Sequence, residues 1–438
     1  MGFMAFIRNN AFWFMDSMKG KPVRCAYNDI KKIDEMNSDH PFIYEYQRQA
    51  WEKLKQKACA TTKAYERYAR CSFLQFPIIY KQDIRGDQDS YISSDFAKVA
   101  LIQMSTSGST GTPFVCYQDS RKKKRVNAEI IYYSEKVGYK LGNNLSYIRT
   151  IVKQNKKSSL KQFLQNQTLI NCGQLSDAGV EKLLLSIQKQ SRRGPVTLLA
   201  YGSTYTALKD YFQKYRITKL DKCNIKGMIS GSDMLFDETR EVVSKVFGSV
   251  PMVSRYSNEE NGVLGQDEGH NNIFTINEAD YIIEIIDESG EIVPEGKQGR
   301  IVVTDLFNYA MPMIRYDTGD MGAIQTFEIN GRKKKCICQF SGRRVDVIFD
   351  AAGNALSPYI VTNYMWSFPD IRQFQLIQKS QMEYTLKLNV DKKFMRESDV
   401  LATLRSILGE KAQIKIEKVD EIPVLASGKR RYIVNEWK

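Results

Sequence analysis

Histidine is almost missing from this chain: His40 and His270 are the only two in 438 residues. His40 precedes a proline in a polar stretch, and His270 lies between Gly269 and two asparagines, so both read as loop positions. That scarcity argues against a Ser-His-Asp triad or a histidine-rich metal centre, and for chemistry done without imidazole. Paired cysteines are missing too. Eight cysteines are scattered without a Cys-x-x-Cys, and Cys336 and Cys338 alternate in "KCICQF" as strand residues do rather than as metal ligands. This usage fits a reducing cytoplasm. No apolar run approaches the roughly 20 residues of a membrane span. The opening "MGFMAFIRNNAFWFMDSMKG" is apolar but interrupted by Arg8, Asn9, Asn10 and Asp16, with no small-residue cleavage site, so a secretory signal is not expected. A helix packed on the protein's own body is the expectation there, with an amphipathic surface helix as the alternative. Internal repeats and low-complexity linkers are absent.

What is present is a globular composition, 42% hydrophobic and 11% aromatic, with length enough for two or three domains. Lys and Arg number 64 against 50 acids, a net +14. That balance favours anionic partners: nucleotides, nucleic acid or an anionic membrane surface. Residues 42–70 carry apolar positions at helical spacing. "PVTLLAYGS" (195–203), "IKGMISGSD" (225–233) and "PMVSRYSNEENG" each read as a strand running into a polar or glycine-rich loop, the first two followed by helix candidates. Such units imply an α/β domain with a largely parallel sheet, whose ligands sit beyond the carboxyl ends of the strands. Residues 281–343 read as a β-rich module. Beyond them, alternating strand and helix patterns form an α+β unit of C-terminal residues, large enough to fold separately.

One stretch stands out: "MSTSGSTGTPF", Met104 to Phe114, placed between an apolar run (Val99 to Ile102) and the lysine-rich helix candidate that starts near Asp119. A Ser/Thr/Gly loop between strand and helix can aim backbone N–H groups and hydroxyls at phosphate oxygens. It lacks the Gly-Lys-Ser/Thr of a nucleotide P-loop and the spacing of a dinucleotide fingerprint. Alone it reads first as a solvated turn.

Its company changes the reading. "STSGSTGTP" resembles the phosphate loop of the adenylate-forming superfamily of acyl-CoA synthetases, adenylation domains and luciferases. "RYSNEE" (255–260), "MPMIRYDTGD" (311–320), "SGRRVDVIFDAAGNALSP" (341–358) and "IPVLASGKRR" (422–431) resemble four further family segments, in the family's order. Pro113-Phe114 in place of Pro-Lys, with "MPMIRYDTGD" and "GSTYTALKDYF", looks most like the phenylacetate–CoA ligase branch. The basic N-terminal half and the length look most like its capsular-polysaccharide-biosynthesis (CapK-like) members.

The resemblance implies a large N-terminal domain, 1–343, binding ATP and acid, and a small mobile C-terminal domain, 344–438. It implies ATP-dependent joining of a carboxylate to the α-phosphate, then acyl transfer to a thiol, amine or hydroxyl. Ser105, Thr106, Ser107, Gly108, Ser109, Thr110 and Gly111 would hold the β- and γ-phosphates. Gly231, Ser232 and Asp233 would lie along the adenine, with Tyr256 and Ser257 nearby. Glu260 would hold Mg²⁺, and Asp320 would accept from the ribose hydroxyls. The family Gly nine residues after its nucleotide-contacting Arg, and the branch's Pro fourteen after, fall on Gly353 and Pro358 when counted from Arg344. By that match the resemblance implies Arg344 as the nucleotide contact and Asp346 as the hinge. Lys429 would be the catalytic ammonium carried in by the C-terminal domain. Three departures stand out: Ser257 for Gly, Glu259 for Ser/Thr, and Asp317 for the usual Arg, with Arg315 nearby. Expected partners are a carboxylic acid and an acceptor that is CoA, a carrier-protein thiol or a sugar-linked amine or hydroxyl. The expected location is the cytoplasm, peripheral to the inner face of the membrane. "RKKKR" (121–125) reads as a solvated face, or as an attractor of ATP, a phosphorylated acceptor or an anionic membrane. The rival reading is a basic protein that binds nucleic acid or membrane on a degenerate adenylation fold.

Overall fold

A computed structural model describes residues 2–105, 114–149, 158–171, 177–232, 234–269, 272–343, 348–353, 355–356, 361, 364–365, 368, 370–391, 394–423 and 431–437. The chain opens with three helices, α1 (Phe3–Met18), α2 (Pro22–Asp34) and α3 (Pro41–Thr61). Proline heads α2 and α3, where a missing N–H costs nothing. His40 caps α3 by accepting from the Phe42 N–H at 3.1 Å. The helix expected through residue 70 stops at Thr61. Thr62 is extended, and a 3₁₀ turn follows over Lys63–Tyr68, whose fully buried Tyr65 donates to the Pro312 carbonyl at 3.0 Å. A tertiary contact thus overrides local helix preference. A short helix α4 (Lys81–Gly86) precedes an antiparallel pair, β1 (Ile102–Ser105) and β2 (Val115–Gln118). The basic segment starts α5 (Ser120–Glu135), capped by Asp119.

Next come β3 (Asn144–Arg149), α6 (Ser159–Gln165), β4 (Gln167–Asn171), α7 (Asp177–Ser191), β5 (Val196–Tyr201), α8 (Gly202–Lys214), β6 (Ile225–Gly231), α9 (Asp237–Val246) and β7 (Met252–Asn258). These five strands pair in parallel in the order β4-β3-β5-β6-β7. Two of them, β3 and β4, were not anticipated. Their core is apolar: Leu198, Leu208, Phe212, Met228 and Val243 are all fully buried. Gly227 lets α5 approach this sheet, since a Cβ there would stand 1.8 Å from the Val137 carbonyl oxygen.

The same sheet continues with antiparallel strands, β8 (Gly262–Asp267), β9 (Phe274–Ile276), β10 (Tyr281–Ile286), β11 (Gly299–Asp305), β12 (Tyr316–Ile329) and β13 (Arg332–Arg343). Its full order is β10-β11-β12-β13-β9-β8-β7-β6-β5-β3-β4, eleven strands. Residues 281–343 are thus continuous with the parallel half, and the sense changes at β7–β8. After the pair β14 (Ile348–Phe349) and β15 (Ala355–Leu356) come β16 (Ile371–Gln378), β17 (Glu383–Val390), β18 (Gln413–Lys418) and β19 (Ile433–Asn435). They form a separate sheet, β18-β17-β16-β19, with its own core in which Leu376, Leu386 and Leu388 meet Val400 and Leu404 of the helix Glu397–Leu408. Tyr432 of this unit meets Phe236 of the larger one edge to face at 6.1 Å.

Candidate active site

Two segments that are not neighbours in the sheet converge near its change of sense: the end of β7 with its turn, Tyr256 to Glu260, and the start of β12, Tyr316 to Asp320. Tyr256 donates to Asp320 Oδ2 at 2.7 Å, and Tyr316 donates to Glu260 Oε1 at 3.1 Å. The bonds are crossed, so each segment fixes the other's carboxylate. Burial first, and then the adjoining carboxylate, push both phenols well above their ordinary range, which keeps them donors. Glu260 is buried, while its neighbours Ser257 and Glu259 are exposed. A bulge between Tyr256 and Ser257 falls where this change occurs.

A residue that the sequence did not single out completes this wall. Lys81 Nζ, at the start of α4, lies 2.9 Å from Glu260 Oε1 and 5.7 Å from the centroid of the Phe114 ring. Phe114 in turn stacks on Tyr316, centroids 6.5 Å apart and planes 13° apart. The resemblance sets Phe114 where the family loop would carry a lysine, and here a cation arrives beside it from another part of the chain. The missing lysine was the available signal. So was the pairing of Lys81 with Arg85, four residues on, whose guanidinium lies 5.9 Å from the same ring.

Ser105 and Val115 are register partners, so residues 106–113 connect two antiparallel strands. This corrects the expected strand-to-helix loop: α5 begins only after β2. Gln118 of β2 donates to the Glu260 carbonyl oxygen at 3.2 Å, tying this pair to the carboxylate turn. Gly231 ends β6, between Tyr201 and Arg255 in register, and Ser232 follows with a left-handed φ of 74°. Arg343 ends β13 as the register partner of Asp320, which sets the beginning of the hinge segment beside the second carboxylate. Thr106, Ser107, Gly108, Ser109, Thr110, Gly111, Asp233, Arg344, Asp346 and Lys429 lie outside the described residues.

The turn carrying Glu260 is supported from behind by the segment expected to be a solvated face. Lys122 is fully buried, 2.8 Å from Asp305 and 3.6 Å from Glu129, and it donates to the Tyr281 hydroxyl at 3.0 Å. Glu129 accepts from the Val263 N–H at 2.7 Å, and the Tyr281 hydroxyl lies 2.9 Å from the Asn261 carbonyl. Gly262, at φ 134°, presses on this network: a Cβ would stand 2.3 Å from Glu129 Oε2. Arg125 pairs internally with Asp280. Burial pushes the Glu129 carboxyl up to about 8, against the pull of Lys122.

The departures at 315 and 317 also resolve. Asp317 is neutralised by Arg300 at 2.7 Å and accepts from the Gly319 N–H at 2.8 Å. Arg315 is committed to Glu284 at 3.0 Å and to the Leu74 and Phe76 carbonyls, so it does not replace the family arginine. Among the described residues no group of three or more His, Cys, Asp or Glu could cage a metal. A single buried carboxylate such as Glu260 suits Mg²⁺, which is usually held by one or two carboxylates plus oxygens of a bound substrate. Asp320, an acceptor steadied by Tyr256, suits a diol. A depression of about 580 Å³ lined by Lys136, Arg240 and Met252 lies at the opposite end of β7 and takes no part here.

Comparisons with known proteins bear on the fold and the sequence. Residues 348–436 match the family model of the CapK C-terminal domain. The chain is 25% identical to Protein CapK of Staphylococcus aureus over 454 residues, covering 96% of this chain and 94% of that one. Over nearly its whole length the chain is thus similar to Protein CapK, and its C-terminal residues match the CapK domain model. A phenylacetate-coenzyme A ligase of Thermus thermophilus is 32% identical over 124 residues, 27% of each chain. The fold matches 2-hydroxyisobutyryl-CoA ligase in its postadenylation state with R3-HIB-AMP, at a TM-score of 0.71 and 14% identity over 89% of this chain and 88% of that one.

Proposed function

We propose that this CapK-like protein activates a carboxylic acid with ATP and hands the acyl group to a second substrate. The carboxylate oxygen forms a bond to the α-phosphorus, the α–β phosphoanhydride breaks, and pyrophosphate leaves. The acyl-adenylate is then attacked at its carbonyl carbon, and AMP leaves. The observation that carries this reading is the crossed Tyr256–Asp320 and Tyr316–Glu260 pair, which holds two carboxylates on one wall beside β2. Bound Mg²⁺, held by Glu260, would offset phosphate charge. Lys81 would then exchange Glu260 for phosphate oxygens, supplying the cation absent after Pro113. Residues 105–111 would hold the β- and γ-phosphates, Gly231 to Asp233 the adenine and Asp320 the ribose. Arg344 would contact the nucleotide. Rotation of residues 344–438 about Asp346 would bring Lys429 to the reacting oxygens.

Relatives that are named as CoA ligases support coenzyme A as acceptor. The sequence resemblance to capsule-type members points instead to a sugar-linked amine or hydroxyl, or a carrier thiol, as acceptor. The rival nucleic-acid reading loses its main surface, because Lys122 and Arg125 are engaged inside the body. Incubating the protein with ATP and a panel of aryl, fatty and amino acids, followed by native mass spectrometry, tests the proposal. An acyl-AMP adduct with one class of acid is expected. Protein without any adenylate across the panel, while ATP binding is retained, would contradict it.

A further inference from the structure

The N-terminal helix faces the wrong way for a core helix. Phe3, Met4, Ile7, Phe14, Met15 and Met18 recur at spacings of three and four, so they form one stripe along α1. All six are exposed, Phe3 at 78%, Phe14 at 67% and Met18 at 75%. The helix is not loose. Its other side is pinned: Asp16 is buried and accepts from the Val23 and Arg24 N–H groups at 3.0 Å. Trp13 packs edge to face on Tyr27 with centroids 6.0 Å apart, and the Ala5 carbonyl lies against Gly142. The fold therefore presents this apolar stripe outward. A second segment extends the patch: Arg8 lies 5.3 Å from the Phe163 ring of α6, where Phe163 and Leu164 are more than 60% exposed.

Charge selects the occupant. The only acid of α1, Asp16, is consumed as the cap of α2, and the charges next to the stripe on α1 and the turn after it are Arg8, Lys19 and Lys21. A symmetric pairing with a second copy would bring these cations together without opposing acids at the flanks. An anionic bilayer interface takes both features, with Phe and Met among the acyl chains and the cations at the headgroups. Among the described residues no helix is long and apolar enough to cross a membrane, so the helix would lie in the interface plane. We propose that α1, joined by Phe163 and Leu164, docks the protein on an anionic membrane surface. This relocates the membrane contact from residues 121–125, two of whose cations are buried.

Flotation of the full chain with vesicles tests this, using phosphatidylcholine alone and with about 30 mol% phosphatidylglycerol. Binding to the anionic vesicles is expected. The Ile7→Gln/Phe14→Gln variant should bind at least about tenfold more weakly, because it removes buried apolar area without changing charge. A second pair, Met4→Gln/Met18→Gln, should weaken binding in the same direction, with unchanged melting temperature in both. Retained binding by both variants would overturn the proposal. So would wild-type protein that ignores vesicles and forms a dimer in light scattering which Ile7→Gln/Phe14→Gln dissociates, since the stripe would then serve a second copy.

Discussion

The two halves of the large sheet bury different things. The parallel half buries Leu198, Leu208, Phe212 and Met228, side chains that need no particular partner. The antiparallel half and its cover bury ion pairs: Lys122 with Asp305, Arg125 with Asp280, Arg300 with Asp317 and Arg315 with Glu284. Charges in a dry interior are costly unless each is matched in place, so they tolerate fewer arrangements than a packed apolar core. The half that fixes its geometry in this way is the half that carries Tyr316 and Asp320 and braces the Glu260 turn. The parallel half contributes the strand end at Gly231 and the left-handed Ser232, which under the proposed function would meet the base.

Lys122→Met should break this contrast most strongly. It strands Asp305 and should cost about 3–5 kcal/mol in denaturant unfolding. Lys122→Met/Asp305→Leu should recover most of that loss. In the parallel half, Leu208→Ala should cost about 2–5 kcal/mol through its cavity, and no single removal of a partner should restore it. Glu260→Gln should leave stability nearly unchanged and reduce adenylation about 10²–10³-fold, read as pyrophosphate exchange. Lys81→Met should weaken apparent ATP affinity about tenfold while leaving that for the acid unchanged, the expected loss of one charge-assisted contact. The remaining prediction concerns pH. Glu129 titrates near 8 in the fold against an ordinary 4.5, so across that window the folded chain holds a proton that the unfolded chain has lost. Stability from this group is therefore full below about 4.5 and falls as pH rises through about 8. Glu129→Gln should gain on the wild type as pH rises across the window, by thermal melting.

The sequence made some of this legible and hid the rest for physical reasons. β5, β6 and β7 end in Gly, Ser or polar loops, and they were found. β3, "NLSYIR", carries buried Asn144 and Ser146, and β4 is five residues long, so neither shows a clean apolar run. Glu260 and Asp320 were legible through their motifs. Tyr256 was singled out too, but the crossed bonds were not legible, because each joins residues about sixty apart, as with Tyr256 and Asp320, 64 apart. The same holds for "RKKKR". A run of charge reads as solvated because burying an unpaired cation is prohibitive. Only the folded position of Asp305 and Asp280 reverses that reading.

Exchange of labelled pyrophosphate into ATP, driven by the acid found by mass spectrometry, tests the central claim most directly. Wild-type protein should exchange only when that acid is present, and both Glu260→Gln and Lys429→Ala should lose about 10²-fold or more. Exchange at the wild-type rate in both variants, or none with any acid in the wild type, would contradict the account.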